Sequence, residues 1–343
     1  MTANMSPWDV QEEQFPVDGN TIDQFRFLLN YAVLAPSVHN SQPWRFTVDS
    51  ERIRFYKDPK LNLVYADPEQ RQLIISCGAA LFFLRTALHR FGYQGEITLL
   101  PDPADMDLLA AISLGSRFSP DEEDLLMFQS LLHRHTSREP FDDHALPSVV
   151  FDTIKMSAEK EGAWLHSVSS AEERERMIEL ITEGDREEMA DPRFRREMLT
   201  WIHSDGSHKK EGLTEKAFGM PGLFAYSGPL MVRTFDTGSL YAARERQLAV
   251  NAPLLAVMGS YEDSPLAWLK TGQALARMLL IATSMDVKSS FLNSPIEVAG
   301  LRPRVRQLVS VQGFPQLILR IGYGPAGAAT PRISATEKTE NGA

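Results

Sequence analysis

The sequence predicts an α+β protein made of two related halves. Three observations carry this. Apolar residues recur at helical spacing in some stretches and cluster as strands in others. Landmarks of the first part return in order in the second, at constant offsets. The chain has 343 residues, the length of about two domain-sized units.

Residues 22–34 read as a helix with Phe25, Leu28, Leu29 and Val33 on one face, ending at Ala35-Pro36-Ser37. A turn-rich stretch runs to Pro43, and residues 44–48 and 53–56 read as two short strands. A longer helix is expected to open at Asp67-Pro68, with Asp67 as N-cap, proline at the first helical position and Gln70 closing a capping box. It carries Ile74, Ala79, Leu81, Leu84 and Ala87 and stops at Gly92; strands then fit residues 96–100 and 108–114.

The second half repeats this order. Gly78, Ala80, Leu81 and Pro101 meet Gly272, Ala274, Leu275 and Pro295 at one offset of 194, and the second helix also opens on a cap and a proline, Ser264-Pro265. Upstream, the segment ending in Trp44 aligns with the one ending in Trp164 at an offset of 120, and residues 317–324 resemble residues 108–115. The offsets differ by 74, so the second half holds an insertion of about that length. Most of it is a charged stretch in which residues 171–188 and 192–203 read as two helices. Such a pair is either a solvated hairpin or a lid over a site, the latter favoured by Gly212, Gly219, Pro221 and Gly222 just after it. The expected limits are residues 20–118 for the first half, 122–333 for the second with its insertion at about 171–222, and a polar tail at 334–343.

With 45 acidic and 35 basic side chains the net charge is −10, the wrong sign for a nucleic-acid binder, although a small anion site remains open to it. The single cysteine, Cys77, excludes an internal disulfide framework. The first residues lack the basic and apolar regions of a signal peptide, and no uninterrupted apolar run approaches the ~18 residues of a membrane span. A cytoplasmic protein, without membrane partner, is the expectation.

Three segments could carry chemistry. The turn from Ala35 to Trp44 presents Ser37, Asn40 and Gln42, short donors and acceptors suited to the edge of a flat heterocycle, or simply to a helix end's orphan carbonyls. The stretch His133-Arg134-His135-Thr136-Ser137-Arg138 is a compact anion cradle, or else a basic helix end opposing the macrodipole. Last, Gly322, Gly324 and Gly327 formally satisfy a dinucleotide fingerprint, but Pro325 and Pro331 oppose the helix it requires. Arg332 remains there as a second phosphate ligand. His133 and His135 lack partners at metal-ligand spacing, so no metal is expected. Cys77 reads as core, and His39 as either a substrate contact or a surface histidine.

Taken together these segments resemble the nitroreductase family of flavoproteins. Residues 36–44 resemble its Pro-Ser-x-x-Asn-x-Gln-Pro-Trp segment, and residues 134–138 its Arg-Arg-Ser-x-Arg phosphate motif, with His135 and Thr136 as departures. The double length is similar to the Acg-like mycobacterial branch. The resemblance implies two fused repeats that mimic a homodimer, with mixed or antiparallel sheets packed against helices. It implies FMN held by Arg134, Thr136, Arg138 and Arg332 at the phosphate and by Ser37, Asn40 and Gln42 at the ring, with the backbone of Phe291, Leu292 and Asn293 near N5. The first half has the ring segment but no arginine motif, and the second offers only Lys160-Glu161-Gly162-Ala163 where the ring segment should recur. One complete site per chain follows. The implied activity is two-electron transfer from NAD(P)H through FMN to a small nitroaromatic or quinone, with no side chain required as catalyst. The alternative is a protein that sequesters FMN under the insertion with little turnover. A fused pair needs no partner subunit, so a monomer is possible, with a further homodimer left open.

Overall fold

The computed structural model describes residues 6–218 and 238–341. Helix α1 (Thr21–Ala32) is capped by Asn20, whose Oδ1 accepts from the Asp23 amide at 2.9 Å. It leads into the hairpin of β1 (Trp44–Val48) and β2 (Ile53–Lys57), then α2 (Arg71–Arg90), β3 (Glu96–Leu99) and β4 (Leu108–Ser113). After α3 (Glu122–Ser130) the second half begins with α4 (Ser148–Glu159) and β5 (Trp164–Val168). The insertion follows as α5 (Ala171–Ala190), α6 (Pro192–Thr200), β6 (Ile202–His203), β7 (Leu213–Thr214), α7 (Glu215–Phe218) and α8 (Gly238–Val250). The repeat resumes with β8 (Leu254–Ser260), α9 (Pro265–Ser284), β9 (Lys288–Phe291), α10 (Ser294–Glu297), α11 (Arg302–Val309) and β10 (Phe314–Gly322). The chain closes with α12 (Ala335–Lys338) and β11 (Thr339–Asn341).

Hydrogen bonding orders the first sheet β1-β2-β4-β3 and the second β5-β8-β10-β9. All neighbouring pairs in these runs are antiparallel. In chain order both read first, second, fourth, third, so the halves share one topology. Helices α2 and α9 fill the same link in each, and Arg71–Arg90 maps onto Pro265–Ser284 residue for residue at the offset of 194. The insertion sits where the first half has only the short β1–β2 turn.

These two helices pack together in the main core, where a side chain at Gly78 or Gly272 would strike the other helix's backbone. Arg71–Arg90 is long and apolar enough to cross a membrane by length and composition, but 89% of that stretch is buried within the protein.

Three expectations need correction. Helix α2 opens three residues late, with Gln70 as N-cap at φ +61°. Asp67 still caps it, but from a preceding turn, its Oδ2 accepting from the Leu73 amide at 2.9 Å; Gln70 accepts from Lys57 Nζ at 2.5 Å instead of closing a box. The tail is not a loose end, because β11 pairs parallel to β1, Phe46 opposite Thr339. A capping box between Ser334 and Glu337 starts α12, and buried Lys338 donates from Nζ to the Gln42 carbonyl at 2.7 Å. Nor is the insertion a solvated hairpin. Met177, Ile178 and Ile181 of α5 pack with Ala249, Leu292 and Ile296, while Phe194 and Met198 of α6 pack with Leu63 and Leu213. Gly219, Pro221 and Gly222 lie outside the described residues.

Candidate functional site

A cavity of about 190 Å³ lies between the halves. The first half lines it with Ser37, His39 and Asn40 from the turn after α1 and with Gln72, Ile75 and Ser76 of α2. The second contributes Arg134, Thr136 and Arg138, the run from Ser290 to Ser294, Glu297, Thr330 and Arg332. The insertion adds Asp185, Phe194, Met198, Leu213, Arg244 and Glu245.

The turn is strained. His39, Asn40 and Gln42 all have positive φ, at 46°, 55° and 51°, a conformation non-glycine residues hold only when their surroundings fix them. Here the fixing bonds are visible. Ser37 Oγ accepts from the Gln42 amide at 2.9 Å, and Asn40 donates from Nδ2 to the carbonyls of Gly212 at 2.9 Å and Pro331 at 3.0 Å. Gln42 donates to the Lys210 carbonyl at 2.7 Å and accepts from the Ile333 amide at 2.8 Å. Gln42 is fully buried and does not line the cavity, so its expected place at a ligand's edge is corrected: it braces the turn from behind.

The cationic wall is unbalanced. Arg134 is 4% exposed, its Nε has no hydrogen-bond partner, and no ion pair reaches its guanidinium among the described residues. Arg332, equally buried, donates to Asn40 Oδ1 at 2.7 Å, to the carbonyls of Leu34 and Ala35, and to Thr330 Oγ1. Its Nε is unpartnered, and the guanidinium lies 5.0 Å over the Trp8 ring. Burial, with Arg138 nearby, lowers the Arg134 pKa to about 10, and burial with Arg134 nearby lowers that of Arg332. At neutral pH Arg134 keeps its charge. His39 and His135 are pushed down to about 4 by burial and then by neighbouring arginines, so both are neutral. Buried cations without a carboxylate are costly alone. Arg134 in particular presents forked donors to an anion.

Another part of the lining is acidic. Asp185 is 3% exposed, and its Oδ2 is buried without a partner among the described residues. Burial first, then Glu245 and Glu297, pushes its pKa up to about 8 despite a hydrogen bond with Ser294. Burial also raises Glu188, Glu245 and Glu297. The fold reason is a close approach: a Cβ at Gly184 would lie 2.8 Å from the Ser294 carbonyl carbon, so α5 rests directly on the start of α10.

Of the ten expected site residues, nine line this one cavity and only Gln42 stands behind it. Leu292 and Asn293, like Ser37, Asn40 and Arg332, also carry structural bonds. The Leu292 amide donates to the Ile318 carbonyl at 2.9 Å, and Asn293 Oδ1 accepts from the Ile318 amide at 2.9 Å. The rejected glycine fingerprint has a packing explanation, since a Cβ at Gly327 would lie 2.2 Å from the Thr136 carbonyl oxygen. Sequence reasoning missed Asp185, although it falls at helical spacing with buried Ile178, Ile181 and Met189, a position where an acid is out of place.

No protein-family model matches the chain. It is 30% identical over 331 residues, covering 95% of itself and 92% of the other, to a Mycobacterium tuberculosis protein described as "Putative NAD(P)H nitroreductase Rv3131". A second from that organism, "Putative NAD(P)H nitroreductase acg", is 25% identical over 329 residues, covering 91% of this chain and 94% of that one. Among solved structures, the FMN-dependent nitroreductase NfnB from Mycobacterium smegmatis, in complex with NADPH, matches at a TM-score of 0.42 and 17% identity, covering 64% of this chain and 99% of that chain.

Proposed function

The chain belongs to the nitroreductase family, and from that premise we propose that it binds one FMN in the arginine-lined cavity and uses it to pass two electrons from NAD(P)H to a small aromatic acceptor, a nitroaromatic or a quinone. The observation that supports this most is Arg134, a buried guanidinium with no carboxylate partner among the described residues, on the wall of a cavity between two repeats. A phosphate monoester is the counter-charge it lacks.

The flavin would supply the redox chemistry, accepting and releasing the electron pair. The chain's residues bind and orient it. Arg134, with Arg138, Thr136 and Arg332 beside it, would hold the phosphate. Arg332 has a further task, because its bonds to Asn40, Leu34 and Ala35 tie the closing segment to the strained turn. Ser37 and Asn40 would bound the ring on that side, with the backbone of Phe291 to Asn293 on the other. Gln42 would act through the turn alone. Phe194 and Met198, from the insertion, would keep water from the ring.

A single site per chain has its own support. At the offset of 120 from Asn40 and Ser41, the second half has Lys160 and Glu161, and both are engaged in ion pairs. Lys160 lies 2.6 Å from Glu123, and Glu161 lies 2.7 Å from Arg85 and 3.2 Å from Arg277. That turn is thus braced by charge where its counterpart presents Asn40. The same reading includes a monomer in the cytoplasm.

The test is anaerobic mixing of the flavin-loaded protein with NADH or NADPH. Bleaching of the flavin band within seconds is the expected result. No bleaching over minutes with either donor would reject the oxidoreductase and favour a flavin store closed by the insertion.

A further inference from the structure

The two-electron reduction proposed above delivers electrons, but a quinone or nitro group also needs protons. The two histidines on the cationic wall, His39 and His135, are half-buried and neutral, so neither holds a proton to give. The acidic part of the lining differs. Asp185 and Gln72 both line the cavity and are at least 96% buried; the Gln72 amide is held against Glu297, while Asp185 Oδ2 has no hydrogen-bond partner among the described residues. An unpartnered, buried carboxyl oxygen on a residue of the cavity wall points to a polar group beside it.

A second cavity, of about 370 Å³, approaches from behind, lined by Glu69, Arg71, Asp263, Arg302 and Arg306 among others. Glu297 lines both cavities. It is therefore the carboxyl between the flavin cavity and this second cavity, which is bordered by exposed Glu69.

We propose that Asp185 is the acid of the reaction, donating the proton that accompanies hydride transfer, and that Glu297 returns a proton to it from the second cavity. This rests on the oxidoreductase reading. A quinone would take two electrons as a hydride, drawn originally from NAD(P)H, at one oxygen and a proton from Asp185 at the other. The O–H bond of Asp185 breaks as the second O–H bond of the hydroquinone forms, leaving a carboxylate that regains its proton from water through Glu297.

The surroundings suit the role. Asp185 faces Glu188 on its own helix, Tyr241 and Glu245 on α8, and Ser294 and Glu297 on α10; Arg244 and Arg138 lie beyond Glu245. Burial and this acidic company keep Asp185 protonated at neutral pH, with a pKa of about 8, near the operating range of an efficient general acid.

The experiment compares Asp185→Asn with the unaltered protein, both flavin-loaded and pre-reduced, using benzoquinone, which needs protons, and ferricyanide, which takes electrons alone. The ratio of quinone to ferricyanide rates should fall about a hundredfold, within the usual worth of a general acid. A ratio unchanged within twofold would overturn the proposal. Glu297→Gln should lower the same ratio over many turnovers while sparing the first, and it serves if Asp185→Asn does not fold; an unchanged ratio over many turnovers would count against the proposal. A second readout needs neither flavin nor turnover: infrared difference spectra of the flavin-free protein at pH 7 should show a protonated-carboxyl band that Asp185→Asn removes. An identical band in the variant would overturn the proposal whether or not NAD(P)H reduces the flavin.

Discussion

Gly78 and Gly272 touch, each placed so that a Cβ on one would lie within 3 Å of the other's Cα. The contact is reciprocal. A Cβ at Gly78 would lie 2.2 Å from the Leu269 carbonyl oxygen, and one at Gly272 would lie 2.0 Å from the Ile75 carbonyl oxygen. Leu269 is the counterpart of Ile75 at the same offset of 194 that relates the glycines. Residue i meeting j while j's counterpart meets i's is the signature of a two-fold axis, here running within one chain.

Gly78→Ala and Gly272→Ala should therefore each destabilise the protein by about 1–3 kcal/mol, the usual cost of overpacking, since backbone rather than a flexible side chain must give way. The two costs should not add, because both changes press on one crossing. Urea unfolding of both single variants and the double variant measures this.

Arg134→Ala should separate binding from stability. Removing a buried cation that has no carboxylate partner among the described residues should leave the flavin-free protein as stable as before or more so. Loss of a charge-assisted bond, worth about 1.5–3 kcal/mol, should weaken FMN binding from about tenfold to about a hundredfold. Fluorescence titration and thermal melts of the flavin-free protein report the two effects independently.

Gln42→Ala should do the reverse, lowering stability by about 1–3 kcal/mol because it orphans the Ile333 amide and the Lys210 carbonyl. Thermal melts of the flavin-free variant check it. An unchanged melting temperature would return Gln42 to the ligand's side of the turn.

Stability should fall as pH rises from about 4 to 8. Asp185 has its pKa raised to about 8 in the folded chain, against about 3.9 unfolded, so between those values the folded state binds the extra proton. Its contribution is complete below the unfolded value and is lost as pH climbs through the folded one. Glu188, Glu245 and Glu297, raised by burial, act in the same direction. Melts of the flavin-free protein across this range should show the fall, and Asp185→Asn should make it shallower.

The repeat was legible because two-fold packing constrains sequence at both copies: the glycines at the crossing, the proline-led or capped helix starts and the two tryptophans that open equivalent strands. The arginine motif was legible because cations close together in an acidic chain stand out. Less visible were roles decided by distant partners. Gln42 carries the right chemistry for a ligand, yet its side chain is bonded to Lys210 and Ile333, far along the chain. Asp67 caps from a turn, because Gln70 is bonded to Lys57. Asp185 sits among charged residues in sequence and faces inward only because Gly184 lets α5 settle on α10. The strand at the C-terminus was signalled by the Ser334–Glu337 capping box, which a polar composition hid.

The central claim is that two fused repeats retain a single flavin site. Flavin-free protein titrated with FMN and separated from excess ligand gives the bound flavin per chain directly. The account predicts one FMN per chain, lost on weakening the Arg134 wall. A ratio near two, or a ratio of one that Arg134→Ala leaves with unchanged affinity, would contradict it.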